Sequence, residues 1–258
     1  MKKVRIYSLF SGSGGNCHYI QVGDREILID AGKNAKAVCT ALSAIGTDIS
    51  NIDAVYVTHE HSDHISAIRV LMKKAKLSLV LPAMTEENRR RAEIEESYTV
   101  SAGDEMQDGC VSVRAFAVPH DASACVGYRI EYVEGDDHIV IGVATDIGHL
   151  TNEVAEGLFG CDAVIVESNH DTDMLIRGPY PDYLKARILS ADGHLSNEAC
   201  ARLCAYLSQH GTGHIMLAHI SKENNTPETA LDAVRAAVGT GVSVTAAMPD
   251  APVCLYEN

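Results

Sequence analysis

No stretch of the 258-residue chain approaches the ~18 consecutive apolar residues that would read as a membrane-spanning helix. The basic start, MKKVRIYSLF, runs at once into SGSGGN, so its apolar part is too short for a secretory signal. A soluble, cytoplasmic protein with no membrane partner is expected. Positive charge is scarce too: 21 Lys+Arg stand against 35 Asp+Glu, a formal net charge of −14. That balance disfavours a protein that grips nucleic acid through a broad basic face. CxxC pairs are absent, and the eight cysteines are scattered through a long chain. They read as small buried side chains in a reducing compartment and not as a disulfide framework. With no repeat, low-complexity tract or Pro/Ser-rich linker, one domain spanning residues 1–258 is expected.

What is present is an ordinary globular composition, 46% hydrophobic and 22% charged, enough to bury a full core. Short apolar runs ending in Gly, Asp or Ser alternate with longer periodic segments, the pattern of strands interleaved with helices. Strands are predicted at Val4–Leu9, Tyr19–Val22, Glu26–Ile29, Ala54–Thr58, Leu77–Leu81, Val111–Val118, Val126–Val133, His138–Ala144, Ala163–Glu167 and His214–Ala218. Helices are predicted at Ala35–Ile45, His64–Lys74, Glu86–Arg91, Pro181–Leu189, Asn197–His210 and Pro227–Val238. Ser196 and Thr226 suit the N-caps of the last two, and Pro227 suits a first helical position.

The chemistry is concentrated in Thr58-His59-Glu60-His61-Ser62-Asp63-His64, where a buried apolar strand gives way to a helix. Residues two apart at a strand's end point the same way, so His59 and His61 can reach one cation. The chain then turns, and Asp63 and His64 face the other side. So dense a packing of imidazoles and a carboxylate is electrostatically awkward without a metal ion.

This HxHxDH segment resembles the signature of the metallo-β-lactamase superfamily, and the likeness runs along the whole chain. In that family an Asp ending an earlier strand supports the metal loop, and ILIDAG supplies Asp30. The resemblance assigns His120 in VPHDA, the bridging Asp146 in ATDIGHL and His219 in MLAHISKENN to the remaining ligand positions. SLFSGSGGNC, ESNHD, GPYPDYLKARI and GHLSN look like the YycJ/WalJ-like branch, related to ribonuclease Z, whose members are regarded as phosphodiesterases, some with 5′-to-3′ DNA exonuclease activity. Gly14 departs from that pattern where a Ser is usual, and Ile220 where a Leu is, and neither position is a ligand.

The implied fold is α+β, a four-layer αββα sandwich. His59, His61 and His120 would hold one divalent ion and Asp63, His64 and His219 a second, with Asp146 between them. Zn²⁺, Mn²⁺ and Fe all suit such a donor set. A water shared by the two ions would lose its proton near neutral pH and act as nucleophile, with Asp63 placed to orient it or take the proton. A sugar alkoxide leaves poorly, so a general acid is also expected. His194 in GHLSN is the candidate, Glu167 its orienting partner, and His170 a further residue that can face the site.

The expected function is therefore a dinuclear metal-dependent nuclease with nucleic acid as substrate. The alternatives are a thioester or lactam hydrolase on the same fold, and a metal-stabilised binding or sensor protein. SGSGGN, lacking a P-loop lysine, reads as a tight turn near the metal loop, and residues 171–193 as a cover over the cleft, where Tyr180 and Tyr183 can either stack bases or pack in its core or rim. His18, His138, His149, His210 and His214 read as surface or hydrogen-bonded core residues.

Overall fold

The first sheet begins with three antiparallel strands, β1 (Val4–Phe10), β2 (Cys17–Val22) and β3 (Arg25–Ile29). β4 (Ala54–Tyr56), β5 (Ser78–Pro82) and β6 (Tyr98–Val100) then add in parallel. The computed structural model describes residues 3–84, 86–94 and 96–258. The second sheet repeats the plan. β7 (Glu105–Asp108), β8 (Val111–Ala117), β9 (Val126–Glu134) and β10 (Asp137–Ala144) run antiparallel. β11 (Ala163–Glu167), β12 (His214–Ala218) and β13 (Ser243–Ala246) follow in parallel. The last strand, β14 (Val253–Glu257), returns to the first sheet beside β1, giving two seven-stranded sheets among the described residues.

Alternation along each strand assigns its two faces. Val4, Ile6, Ile20, Ile27 and Ile29 of the first sheet pack against Tyr128, Ile130, Ile141 and Ile165 of the second, forming an inner core. The outer face of the first sheet, with Leu28, Val55 and Leu79, is covered by α1 (Ala35–Ala44) and α3 (Ile68–Lys74). That of the second, with Val140, Val164 and Leu217, is covered by α5 (Asn152–Leu158), α8 (Asn197–Gln209) and α9 (Pro227–Arg235). The architecture is the expected αββα sandwich. Between these elements lie α2 (Ser62–Ile65), α4 (Glu86–Ala92), α6 (Thr172–Arg177) and α7 (Asp182–Ile188). Among the described residues no helix is long and apolar enough to cross a membrane.

The helix expected over His64–Lys74 is two. Asp63 O accepts the N–H of Asn16 at 2.7 Å, and Ala67 N donates to Ala31 O at 2.8 Å. The backbone bond that would join α2 to α3 is therefore replaced by contacts to the neighbouring loops. Gly32 packs so tightly there that a Cβ would lie 1.6 Å from Asp63 O. Ser196 and Thr226 do cap α8 and α9, accepting from the N–H groups of Ala199 and Thr229. All eight cysteines are free, but Cys110 and Cys254 are exposed, which corrects the expectation that all would be buried.

Candidate metal centre

Apolar runs that end in a polar residue place the chemistry at one edge of the sandwich. Asp30 follows β3, Thr58 and His59 follow β4, His120 follows β8, and Asp146 follows β10. Glu167 ends β11 and His219 follows β12. Ligand atoms of His59, His61 and His120 lie within 4.8 Å of one another, and so do those of Asp63, His64 and His219. Asp146 joins His59 and His64 in a third such group, and Glu167, His194 and His219 in a fourth. The seven residues taken from the sequence as candidate ligands thus meet in one place, with His194 and Glu167 beside them.

The rings are oriented from behind. Thr58 donates its N–H and its hydroxyl to the two oxygens of Asp30, at 2.8 and 2.9 Å. With its proton so committed, the Thr58 oxygen accepts from His59 Nδ1 at 3.0 Å. His64 Nδ1 donates to Asp30 at 2.8 Å, His120 Nδ1 to Gly193 O at 3.2 Å, and His219 Nδ1 to Glu167 Oε1 at 2.9 Å. In each of these four rings a proton on Nδ1 leaves the Nε2 lone pair for a cation, the arrangement usual for metal-ligating histidines.

Whether the residues present suit divalent ions is answered by what lacks a partner. His59 Nε2, His219 Nε2 and Asp146 Oδ2 are buried and make no hydrogen bond. Buried polar atoms without a hydrogen bond are costly, and three at one spot suit a cation. The ionisation pattern agrees. Burial alone would lower the pKa of His64, but the charges of Asp146 and Asp30 raise it to about 10. His219 is likewise held well above the ordinary range, against burial, by the neighbouring carboxylates of Asp146, Asp63 and Glu167. Burial works against the ionised forms of Asp63 and Asp146, yet the surrounding histidines hold both carboxylates well below the usual range. A site that draws protons onto two imidazoles is one that calls for positive charge, and metal ions would take the place of those protons.

Further contacts brace the ligands from the loops. Ser11 Oγ accepts the N–H of His219 at 2.7 Å, and Asn169 donates to His219 O at 2.9 Å. Asn16 Nδ2 lies 3.0 Å from His64 Nε2, which sets the SGSGGN turn against the metal loop as expected. Asp30, Asp146 and His219 adopt left-handed backbone conformations, with φ of 62°, 58° and 53°. Each costs about 1–3 kcal/mol, so strain is stored around the ligands. Only Thr58, as the neighbour of the motif, and the Ser and Asn of the glycine turn carried a sequence signal.

Other placements differ. His170 is buried beside Ser196 and belongs to none of the four ligand groups. His18 is fully buried with neither ring nitrogen bonded, so it is not the hydrogen-bonded core residue expected, and burial, with the charges of His64 and His219, lowers its pKa to about 3.

Asp30→Ala tests the support from behind. The substitution removes the acceptor of three buried hydrogen bonds, and breaking such a pair costs about 3–5 kcal/mol. Urea denaturation is expected to show a loss of that size, together with weaker metal retention. A loss under about 1 kcal/mol, within the range of an ordinary surface change, would remove Asp30 from this role.

Comparison with known proteins agrees with this geometry. The sequence pattern of the Beta-lactamase superfamily domain matches residues 25–220. The exodeoxyribonuclease WalJ of Streptococcus pneumoniae is 35% identical over 228 residues, covering 86% of this chain and 83% of its own. The exodeoxyribonuclease YycJ of Bacillus anthracis is 34% identical over 226 residues, covering 86% and 84%. In fold, the chain is similar to the metallo-beta-lactamase fold protein YhfI of Bacillus subtilis, with a TM-score of 0.72 at 16% identity over the full length of both.

Proposed function

Because the chain belongs to the metallo-β-lactamase superfamily, in the branch of the WalJ and YycJ exodeoxyribonucleases, we propose that it is a two-metal phosphodiesterase that degrades DNA from an end. The observation that carries this reading is the hydrogen bond of 2.8 Å from His194 Nδ1 to Glu167 Oε1, beside the ligand groups. Glu167 is fully buried, and its second oxygen accepts from Ile147 N at 2.6 Å and Leu195 N at 3.1 Å. It cannot swing away. Its bond fixes the proton of His194 on Nδ1 and stabilises the charged ring, which leaves Nε2–H as the donor to a leaving oxygen. A hydrolase of thioesters or lactams has less use for such a donor, and that reading is not favoured.

In this proposal His59, His61 and His120 would hold one ion and Asp63, His64 and His219 the other, with Asp146 available to both. When bound, two divalent ions, Zn²⁺, Mn²⁺ or Fe, would supply an ionised water at neutral pH and neutralise charge on the phosphoryl oxygens. Asp63, about a quarter exposed, would receive a proton from the attacking water. His194 gives its proton to the leaving sugar oxygen, and Glu167 keeps the ring aimed.

Purified protein with Mn²⁺ or Zn²⁺, incubated with end-labelled single- and double-stranded DNA and RNA, tests the proposal. Metal-dependent shortening of DNA from an end is expected, and Asp63→Ala should abolish it. No metal-dependent cleavage of any of the four nucleic acids would overturn it.

A further inference from the structure

Two cavities of different character flank the metal centre. On the His61 side lies an open one of about 600 Å³, lined by Ser62, Ile65, Arg69 and Asn88. On the His194 side lies one of about 140 Å³, walled by Tyr180, Leu184, Arg187 and Ile188. Successive ring centroids of His61, His120 and His194 are 5.1 and 5.3 Å apart, so the line of rings leads from the large cavity to the small one.

The wall of the small cavity is pinned down. Arg187 clasps Asp121, next to His120, through Nε at 2.7 Å and Nη2 at 2.6 Å. His194 N donates to Ile188 O at 3.0 Å, tying the proton donor to the end of α7. A Cβ on Gly193 would lie 2.2 Å from Ile188 O, and one on Gly148 2.1 Å from Ala191 O. The cover therefore sits on the cleft with no room for a side chain at either contact.

Resting on the phosphodiesterase reading, we infer that this small pocket seats one nucleoside, the one that leaves on the oxygen protonated by His194, with Tyr180 as its stacking platform. The leaving oxygen must lie at His194 Nε2, so whatever is attached to it extends into the pocket beside that ring. Its walls match a nucleoside: an aromatic ring, two aliphatic side chains, and polar edges from Ser221 and from the donors of Arg187 that Asp121 does not occupy. The volume is small beside the ~300–1,000 Å³ of pockets that enclose larger ligands, and suits a single base. In the step itself, a water oxygen bonds to phosphorus and the bond from phosphorus to the nucleoside oxygen breaks. The electron pair stays on that oxygen, and the His194 proton completes the hydroxyl. The long strand keeps the phosphate and lies on the open side. α7 thereby sets the length of the released piece at one nucleoside unit, a mononucleotide wherever its other side already carries the phosphate left by the previous cut.

The test uses the full-length protein with Mn²⁺ and an end-labelled single-stranded DNA, reading product lengths in the first turnovers and KM and kcat separately. Wild type is expected to release mononucleotides. Tyr180→Ala should raise KM about tenfold, the loss of one base–aromatic stack, with a smaller change in kcat, and should release di- and trinucleotides as well. Tyr180→Phe, which keeps the ring, should restore wild-type behaviour. Leu184→Trp, which fills the pocket, should lower kcat/KM about tenfold. The inference is overturned if wild type releases longer pieces, if Tyr180→Ala leaves KM and product length unchanged, or if Tyr183→Ala reproduces the effect, since Tyr183 is 77% exposed and does not line the pocket. No cleavage by wild type would overturn the phosphodiesterase reading itself, a result distinct from all of these.

Discussion

His194→Ala is expected to lower turnover on a DNA end by about 10²–10⁴-fold, the usual contribution of a positioned general acid, and to lower turnover on bis-p-nitrophenyl phosphate far less. The difference lies in the leaving group. A nitrophenolate departs without help, whereas a sugar alkoxide needs the proton that His194 holds. Burial alone would lower the pKa of His194, but the Glu167 carboxylate, by its charge and its hydrogen bond, raises it above the ordinary value. The acid form is therefore present below the ordinary imidazole range and persists above it, and it is lost only as pH rises through the raised value. DNA turnover should show an alkaline limb at that point, and nitrophenyl phosphate turnover should lack it. Glu167→Gln removes the charge that raises the pKa, so the limb should move to lower pH. Equal losses on both substrates in His194→Ala would sink the general-acid assignment.

Removal of divalent metal is expected to abolish DNA cleavage and to lower the melting temperature. An ion present at a hundred times its dissociation constant stabilises the folded chain by about 2.7 kcal/mol per site. At roughly 2–4 °C per kcal/mol for a chain of this size, each site accounts for about 5–10 °C. Loading should also release protons, because His64 and His219 are held protonated by the carboxylates around them when no cation is present. At least two protons per molecule are expected, one from each imidazole and a further one where the ion-bound water ionises, measured by calorimetry in buffers of different ionisation enthalpy. Since protons compete for the same nitrogens, affinity should fall as pH is lowered. An unchanged melting temperature after chelation, with no proton release on adding Zn²⁺ or Mn²⁺, would mean that the cluster does not hold ions.

The inner strands were legible in the sequence because each is an apolar run closed by the polar residue that the site uses, as Ile27 to Ile29 are closed by Asp30 and Ala163 to Val166 by Glu167. Edge strands were not. Glu105–Asp108 has no apolar alternation, and it is a strand because it pairs with β8 from Glu105 opposite Arg114 to Asp108 opposite Val111. β6, β13 and β14 are short and half exposed, and they too owe their form to a neighbour. α5 and α6 are too short for a helical period to stand out. The split between α2 and α3 follows from bonds to Asn16 and Ala31, residues more than thirty positions away in the chain. In the site, the HxHxDH segment declares itself by density alone. His120, Asp146 and His219 stand singly after their strands and were found only through family resemblance. Thr58, Ser11 and Asn169 act through backbone and ring nitrogens, and such contacts leave no periodic trace.

β14 lies against β1, with Arg5 opposite Glu257 and Ile6 opposite Tyr256. Nearly the whole chain separates these partners. During synthesis at about 5–20 residues per second, β1 emerges roughly tens of seconds before the strand that covers its outer edge. β1 is a seven-residue strand buried at all but one position, and until then its unpaired N–H and C=O groups are open to another chain. β1 is thus sheltered only after the twelve described strands that lie between it and β14 have been made. A nascent or C-terminally clipped chain would for that reason tend to aggregate through β1, whatever the state of the metal centre at the other sheet ends.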